Sequence, residues 1–276
     1  MSEISFSGEF GWEILFTVGH AYKAHLEGDL SSTRGCYGTS PFYYFSDNHK
    51  EDLKRSVSLF MSPTIKTETH VHESEQSYLD YHDIYKHDLD ISGMVYPPYK
   101  QHYSSLAKSM GIKFDNPVLV INNKSSRQVG GNYLDRIDLK ELHAVAEEFS
   151  DHDIIYIRPN LWIDFQDDTG DIPFRDKEVL RKFSNVHLPG DLMAEWSVDF
   201  NTMQLISHSL ADKHLSVAGG NALLASHFGG VNVIVRRWWE ALPRRVWHTD
   251  SYLKNISGSK IIGALNLSEI LEGLKL

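Results

Sequence analysis

At 276 residues, with 41% hydrophobic and 23% charged side chains, the chain has the composition of a folded globular protein of one large or two small domains, not of a disordered one. Its formal net charge of -10 repels phosphate backbones at long range and argues against sequence-independent nucleic-acid binding. The single cysteine, Cys36, rules out an intrachain disulfide and a cysteine metal cluster.

MSEISFSGEF lacks the basic and apolar regions of a signal peptide, and no apolar run reaches the roughly 18 residues of a membrane span, so the expected location is the cytoplasm. In chain order, Ile4 to Phe6 reads as a short strand that runs into Gly8-Glu9-Phe10-Gly11. A helical pattern follows through Trp12, Ile14, Leu15, Val18, Tyr22 and Leu26, and Gly28 closes it as a C-terminal glycine does. The aromatic run Pro41 to Phe45 predicts a second strand. Residues 46 to 60 predict a polar-faced helix with Leu53, Val57 and Phe60 on one side. Thr64 to Asp90 is rich in His and Tyr without a clear period, and Pro97-Pro98 is a natural break.

The second part is more regular. Val118 to Ile121 is a fully apolar run, as a buried parallel strand requires. A loop with Lys124 and Arg127 leads to an amphipathic helix from Leu139 to Phe149. Further strands are expected at Asp153–Ile157, Asn185–Leu188, His214–Ala218 and Val231–Val235. Between them lie a helix over Phe200–Ser209, capped by Asp199 or Asn201, and one running from Gly219-Gly220-Asn221 through His227. Strand and helix alternating in this way predict an α/β protein with a parallel sheet covered on both faces. The expected division is a first unit over 1–110 and a second over 111–276.

In open parallel sheets ligands bind beyond the carboxyl ends of the strands. There the sequence places Asn122 and Lys124, Arg158, and the turn Gly219-Gly220-Asn221. Two glycines allow close backbone approach, and a cation beside a helix start forms a diphosphate cradle. The plainer readings are a tight turn, a solvated Lys124, and an Arg158 paired with a nearby aspartate. In the first unit, Glu9 and Glu13 are candidate general bases, or first-turn carboxylates that favour the helix dipole. His70-Val71-His72 with Glu73 is a weak metal pattern, and His70 is a further candidate base. Asp88-Leu89-Asp90 resembles an acidic D-x-D by three letters only, and Asp167, Asp168 and Asp171 read as a solvated acidic loop. No G-x-S-x-G, P-loop lysine motif or G-x-G-x-x-G is present.

The segments INNKSS, IIYIRPN and VDFNTMQLISHSLADKHLSVAGGNALLASHFGGVNVIV together resemble the donor-binding lobe of GT-B glycosyltransferases. They are most similar to a group found in bacteria and in large viruses of algae, and distantly to heptosyltransferase and plant xylosyltransferase types. GEFGWEI is similar to the first acceptor-lobe loop of such enzymes. The resemblance implies two Rossmann-like lobes with a cleft between them, the first binding the acceptor and the second a nucleotide sugar. It implies a UDP-sugar donor, or else a GDP-sugar, a glycan or glycoprotein acceptor, and no cofactor or obligatory metal. By position it brings Lys124 and Gly219–Asn221 to the diphosphate, and Asp199, Asn201 and Glu240 near the base, ribose or sugar. Heptosyltransferase-like enzymes carry a catalytic carboxylate just after the first strand; this chain offers two, Glu9 and Glu13, in a short first lobe. The reaction expected is inverting, with a non-catalytic binding module of the same fold as the alternative.

Overall fold

A computed structural model describes residues 1–55, 64–66, 71–73, 93–124, 126–127, 134–158, 174–237 and 253–276. The chain is a mixed α/β protein that divides into two compact units, Met1–Pro98 and Tyr99–Leu276. The division falls at the Pro97-Pro98 break rather than at residue 110. The helix Tyr99–Ser109 belongs to the second unit because it packs on the helix Phe200–Leu210 there. Lys100 also pairs with Asp212 at 2.6 Å.

Among the described residues the first unit is built on a five-stranded sheet of β1 (Ser2–Ser5), β2 (Leu30–Cys36), β3 (His49–Leu53), β4 (Thr64–Lys66) and β5 (Val71–Glu73). Its order is β3-β2-β1-β4-β5, with β3, β2 and β1 parallel and β4 antiparallel to both of its neighbours, β1 and β5. One helical passage joins β1 to β2: α1 (Phe10–Trp12), a π turn (Glu13–Thr17) and α2 (Val18–Leu26). The chain leaves α2 through Gly28 at φ 72°, a left-handed conformation that glycine adopts without a Cβ penalty.

Pro41 to Phe45 is not a strand; Ser40–Tyr43 forms a 3₁₀ turn, with Pro41 at its start, where a missing N–H costs nothing. The second strand is Leu30–Cys36, whose Ser, Thr and Arg residues hide it from a hydrophobic reading. Of the helix expected over 46 to 60, His49–Leu53 is an edge strand; residues 56–60 lie outside the described residues. Pairing of β3 with β2 overrides the local helical spacing.

In the second unit the described residues form a six-stranded, all-parallel sheet of β6 (Val118–Asn122), β9 (Asp153–Ile157), β10 (Val186–His187), β11 (Ala211–Val217), β12 (Val231–Val235) and β13 (Lys260–Ala264). A separate hairpin, β7 (Ser126–Arg127) with β8 (Leu134–Asp135), follows β6. The large sheet runs β10-β9-β6-β11-β12-β13. Numbered within this sheet, that is 3-2-1-4-5-6, the order of a doubly wound, Rossmann-like sheet.

One face of this sheet is apolar. Leu119, Ile121, Leu215, Val217, Val233 and Val235 pack under the helices Leu139–Glu148 and Leu267–Leu274. Asp138 starts the first of these with a capping box, its Oδ1 accepting the amides of Lys140 and Glu141 while Glu141 accepts the Asp138 amide, each at 3.0 Å. Such a cap is worth about 1 kcal/mol. The opposite face carries a buried polar row, in which His214 lies between Val120 and Asn232, and Ser216 between Asn122 and Ile234. Strands buried on both faces are what the continuous apolar runs of the sequence require.

Candidate functional site

The strand order of the second unit reverses direction between β6 and β11, and a doubly wound sheet binds its ligand at that switch point. The loops leaving these two strands meet there. Lys124, just past β6, donates from Nζ to the carbonyl of Ala218, just past β11, at 2.8 Å. Gly219 follows with φ 148°, outside the range L side chains adopt, and a Cβ there would sit 3.4 Å from Lys124 Nζ. A side chain at 219 would therefore touch the ammonium in ordinary contact and strain the backbone. Gly220 and Asn221 open the helix Gly220–Ala225, and the Gly219 carbonyl accepts the amides of Ala222 and Leu223 at 3.0 and 3.1 Å.

Lys124 is placed by a neighbour the sequence reading did not single out. Asn123 makes four hydrogen bonds, the full capacity of its amide group. Its Oδ1 accepts the amides of Lys124 and Ile137, and its Nδ2 donates to the Ile137 carbonyl and the Tyr156 hydroxyl. Tyr156 in turn donates to Asp176 Oδ2 at 2.5 Å. Burial and the Asp176 carboxylate beside it hold the Tyr156 hydroxyl well above its ordinary pKa, so it stays a donor.

Asp176 also binds Arg158. Nε reaches Oδ2 at 2.7 Å and Nη2 reaches Oδ1 at 3.2 Å, in a pair whose side chains are 2% and 0% exposed. This is the aspartate pairing rather than a solvent-facing diphosphate contact. A guanidinium this deeply held braces the chain Arg158–Asp176–Tyr156–Asn123 that ends on the Lys124 amide.

Asn122 is buried beneath the same turn, with Nδ2 on Ser216 Oγ at 3.2 Å and Oδ1 without a hydrogen-bond partner among the described residues. Asp199 is an exposed N-cap, accepting the Thr202 amide and hydroxyl at 2.9 and 2.6 Å. Asn201 is buried in the first turn of that helix and accepts from Gln204 Nε2 at 2.6 Å. Lys124, Asn122 and the Gly219–Asn221 turn are thus brought together, and Asp199 and Asn201 share the start of the helix that leads into β11.

In the first unit the two candidate carboxylates part company. Glu9 is half-buried at the start of α1. Glu13 is 0% exposed, receiving Arg55 Nη2 at 2.8 Å and the Tyr43 hydroxyl at 3.1 Å. Burial pushes the Glu13 carboxyl up, and Arg55 and Tyr43 pull it part of the way back. Neither Arg55 nor Tyr43 carried a sequence signal, since each is brought to Glu13 by the tertiary fold.

His70 and Glu240 lie outside the described residues, as do Asp88, Asp90, Asp167, Asp168 and Asp171. Among the described residues no cluster of three or more His, Cys, Asp or Glu is placed to hold a metal ion, and no helix is long and apolar enough to cross a membrane.

No protein-family model matches the chain, and no curated protein matches it. Among solved structures, the crystal structure of the glycosyl transferase family 9 from Veillonella parvula DSM 2008 is similar at a TM-score of 0.37 and 10% sequence identity, covering 95% of this chain and 71% of that one.

Proposed function

We propose that the chain is a glycosyltransferase whose second unit holds the donor, a nucleoside-diphosphate sugar, and whose first unit serves the acceptor. The observation that carries the reading is the meeting of Lys124 Nζ with the side-chain-free turn at Gly219, at the switch point of a Rossmann-like sheet. A diphosphate placed there takes the ammonium on one side and the first-turn amides of Gly220 and Asn221 on the other. The sequence resemblance to GT-B donor lobes supports the same assignment.

In the proposed reaction the acceptor oxygen attacks the anomeric carbon as its proton passes to a carboxylate. The bond from that carbon to the diphosphate oxygen breaks, and the configuration inverts. Lys124 meets the charge that grows on the leaving diphosphate. Glu9 takes the base role in this scheme, because Glu13 is sealed under Arg55 and Tyr43. Asn122, Asp199, Asn201 and Glu240 are kept as donor-side residues, and His70 as a second candidate base. The finer reading is a metal-independent enzyme using a UDP-sugar, with a pentose or a deoxyhexose as the sugar that the xylosyltransferase-like resemblance suggests.

The test is thermal stabilisation of the purified protein by UDP-, GDP-, ADP- and CMP-sugars, with and without a divalent cation. A ligand at 100 times its Kd adds roughly 2.7 kcal/mol to the native state. Stabilisation by one nucleotide series is expected, undiminished by chelator. No shift at millimolar nucleotide overturns the assignment, and nucleotide binding without sugar transfer to any acceptor turns it to the non-catalytic module. NMR of the product linkage reports inversion or retention.

A further inference from the structure

The loop that carries Glu9 is held from both sides. The Glu9 carbonyl accepts the amides of Trp12 and Glu13 at 3.1 and 3.2 Å. The carbonyl one residue earlier, on Gly8, accepts Arg55 Nη1 at 2.7 Å, and the other terminal nitrogen of the same guanidinium holds Glu13 at 2.8 Å. Both peptide planes that flank the Glu9 Cα are therefore fixed, one by the helix start and one by Arg55.

The local backbone is built to accept this clamp. The π turn at Glu13–Thr17, closed by the Val18 amide on the Glu13 carbonyl, buries all five of its residues, so the Glu13 carboxylate faces inward. π turns of this kind are frequent at functional sites. Arg55 is 9% exposed on its side chain and lies 5.8 Å above the Phe10 ring, on the residue directly after Glu9. Tyr43 closes the far side of the carboxylate, and its ring stacks on His49 at 4.7 Å. A well-packed apolar side chain at 13 would serve stability as well as a buried ion pair does. What the pair adds is geometry, since a planar guanidinium fork fixes two acceptors at once.

From this geometry we infer that Arg55 is a positioning residue for Glu9, acting through the Gly8 carbonyl and the Glu13 carboxylate without touching substrate. The inference rests on Glu9 being the base proposed above. It places in the reaction a residue that sits 42 positions from Glu13 in sequence.

Arg55→Lys is the informative variant. It retains the charge opposite Glu13, so the fold survives, but one ammonium replaces two terminal nitrogens and loosens the hold on Gly8. Four enzymes are compared: wild type, Arg55→Lys, Glu9→Gln and the double variant, each measured for kcat, KM, the pH profile of kcat and nucleotide binding. The expected result is a drop in kcat of about tenfold to a hundredfold for Arg55→Lys, the scale of a displaced catalytic group. Nucleotide binding is unchanged, and the acid limb of the profile shifts. In the Glu9→Gln background the same substitution costs less than about threefold, because residues acting as one unit are non-additive.

Wild-type kcat and pH profile in a folded Arg55→Lys overturn the inference, as do losses that multiply in the double variant. An active wild type with an unimpaired Glu9→Gln overturns the choice of base, and with it the positioning role. An inactive wild type that binds nucleotide overturns the transferase reading itself. In that case amide hydrogen exchange decides the clamp alone: faster exchange over residues 8–13 in Arg55→Lys supports it, and unchanged exchange overturns it.

Discussion

The Nζ of Lys124 and the carbonyl of Ala218 are 2.8 Å apart, which ties the loop after β6 to the loop after β11 across the switch point of the sheet. A lysine used only to fasten two loops would cost stability alone when replaced, about 1.5–3 kcal/mol for one hydrogen bond to a charged group. If it also meets a diphosphate, Lys124→Ala loses that contact too. The expected outcome is a nucleotide Kd weakened about tenfold to a hundredfold and a larger loss in kcat/KM, with a drop in Tm no larger than one lost hydrogen bond accounts for. Isothermal titration with the best nucleotide and a melt of the same sample check this; equal Kd values reject the cradle.

Gly219 makes a separate prediction, because its φ of 148° is closed to other residues. Gly219→Ala should cost about 1–3 kcal/mol from backbone strain. The new Cβ also comes into contact with Lys124 Nζ, 3.4 Å away, beside the ammonium proposed to meet the diphosphate. Nucleotide binding should therefore fall by more than the loss in stability accounts for. Gly220→Ala, in a helical position without positive φ, is the control and should be milder on both counts. Urea titration and nucleotide binding on the pair separate strain from obstruction.

The parts of this site that were legible in the sequence are those encoded by neighbours in the chain. Asn122 and Lys124 follow an apolar run, and Gly219 and Gly220 sit between another apolar run and a helix, so strand, turn and helix all announce themselves locally. The first sheet was misread for the converse reason. Leu30–Cys36 is a strand made largely of Ser, Thr, Arg and Gly, and it is fixed by its pairing with β1 and β3 rather than by its own period. Arg158 and Glu13 show the same limit for side chains. Arg158 reaches Asp176, 18 residues on, and Glu13 reaches Arg55, 42 residues on. No local spacing separates a charge that meets solvent from one that meets a buried partner.

The Arg158–Asp176 pair predicts a loss of stability rather than a selective loss of chemistry. Removing one partner of a buried ion pair leaves an uncompensated charge and costs about 3–5 kcal/mol. Asp176→Ala also takes the acceptor from the Tyr156 hydroxyl, so it is expected to be at least as damaging as Arg158→Ala. Replacing both with Leu and Met should recover much of the loss, because neither desolvated charge then remains. Denaturant unfolding of the three variants measures this. A soluble, fully stable Arg158→Ala that has lost nucleotide binding would return Arg158 to the diphosphate.

Acid should unfold the second unit through its buried histidines. His208 and His214 face each other through their Nδ1 atoms at 3.2 Å, so one ring donates and the other accepts, which requires the accepting ring to be neutral and forbids protonation of both. Lys100 and Asp212 are the charged groups felt at His214, while Phe228 stacks on His208 and Tyr99 lies against His227. Burial pushes His214 and His227 down from 6.5 to about 3 and His208 well below 6.5. The unfolded chain therefore binds protons near pH 6 that the folded chain refuses. Stability from these residues is fully present above pH 6.5 and falls as the pH drops toward 3, by about 1.4 kcal/mol per unit for each histidine. Between pH 6.5 and 5, before most carboxylates titrate, the unfolding free energy should show this slope, and His227→Phe should flatten it by one histidine's share. A variant with the wild-type slope would mean that His227 is already protonated in the folded protein, or that it stays neutral when the chain unfolds.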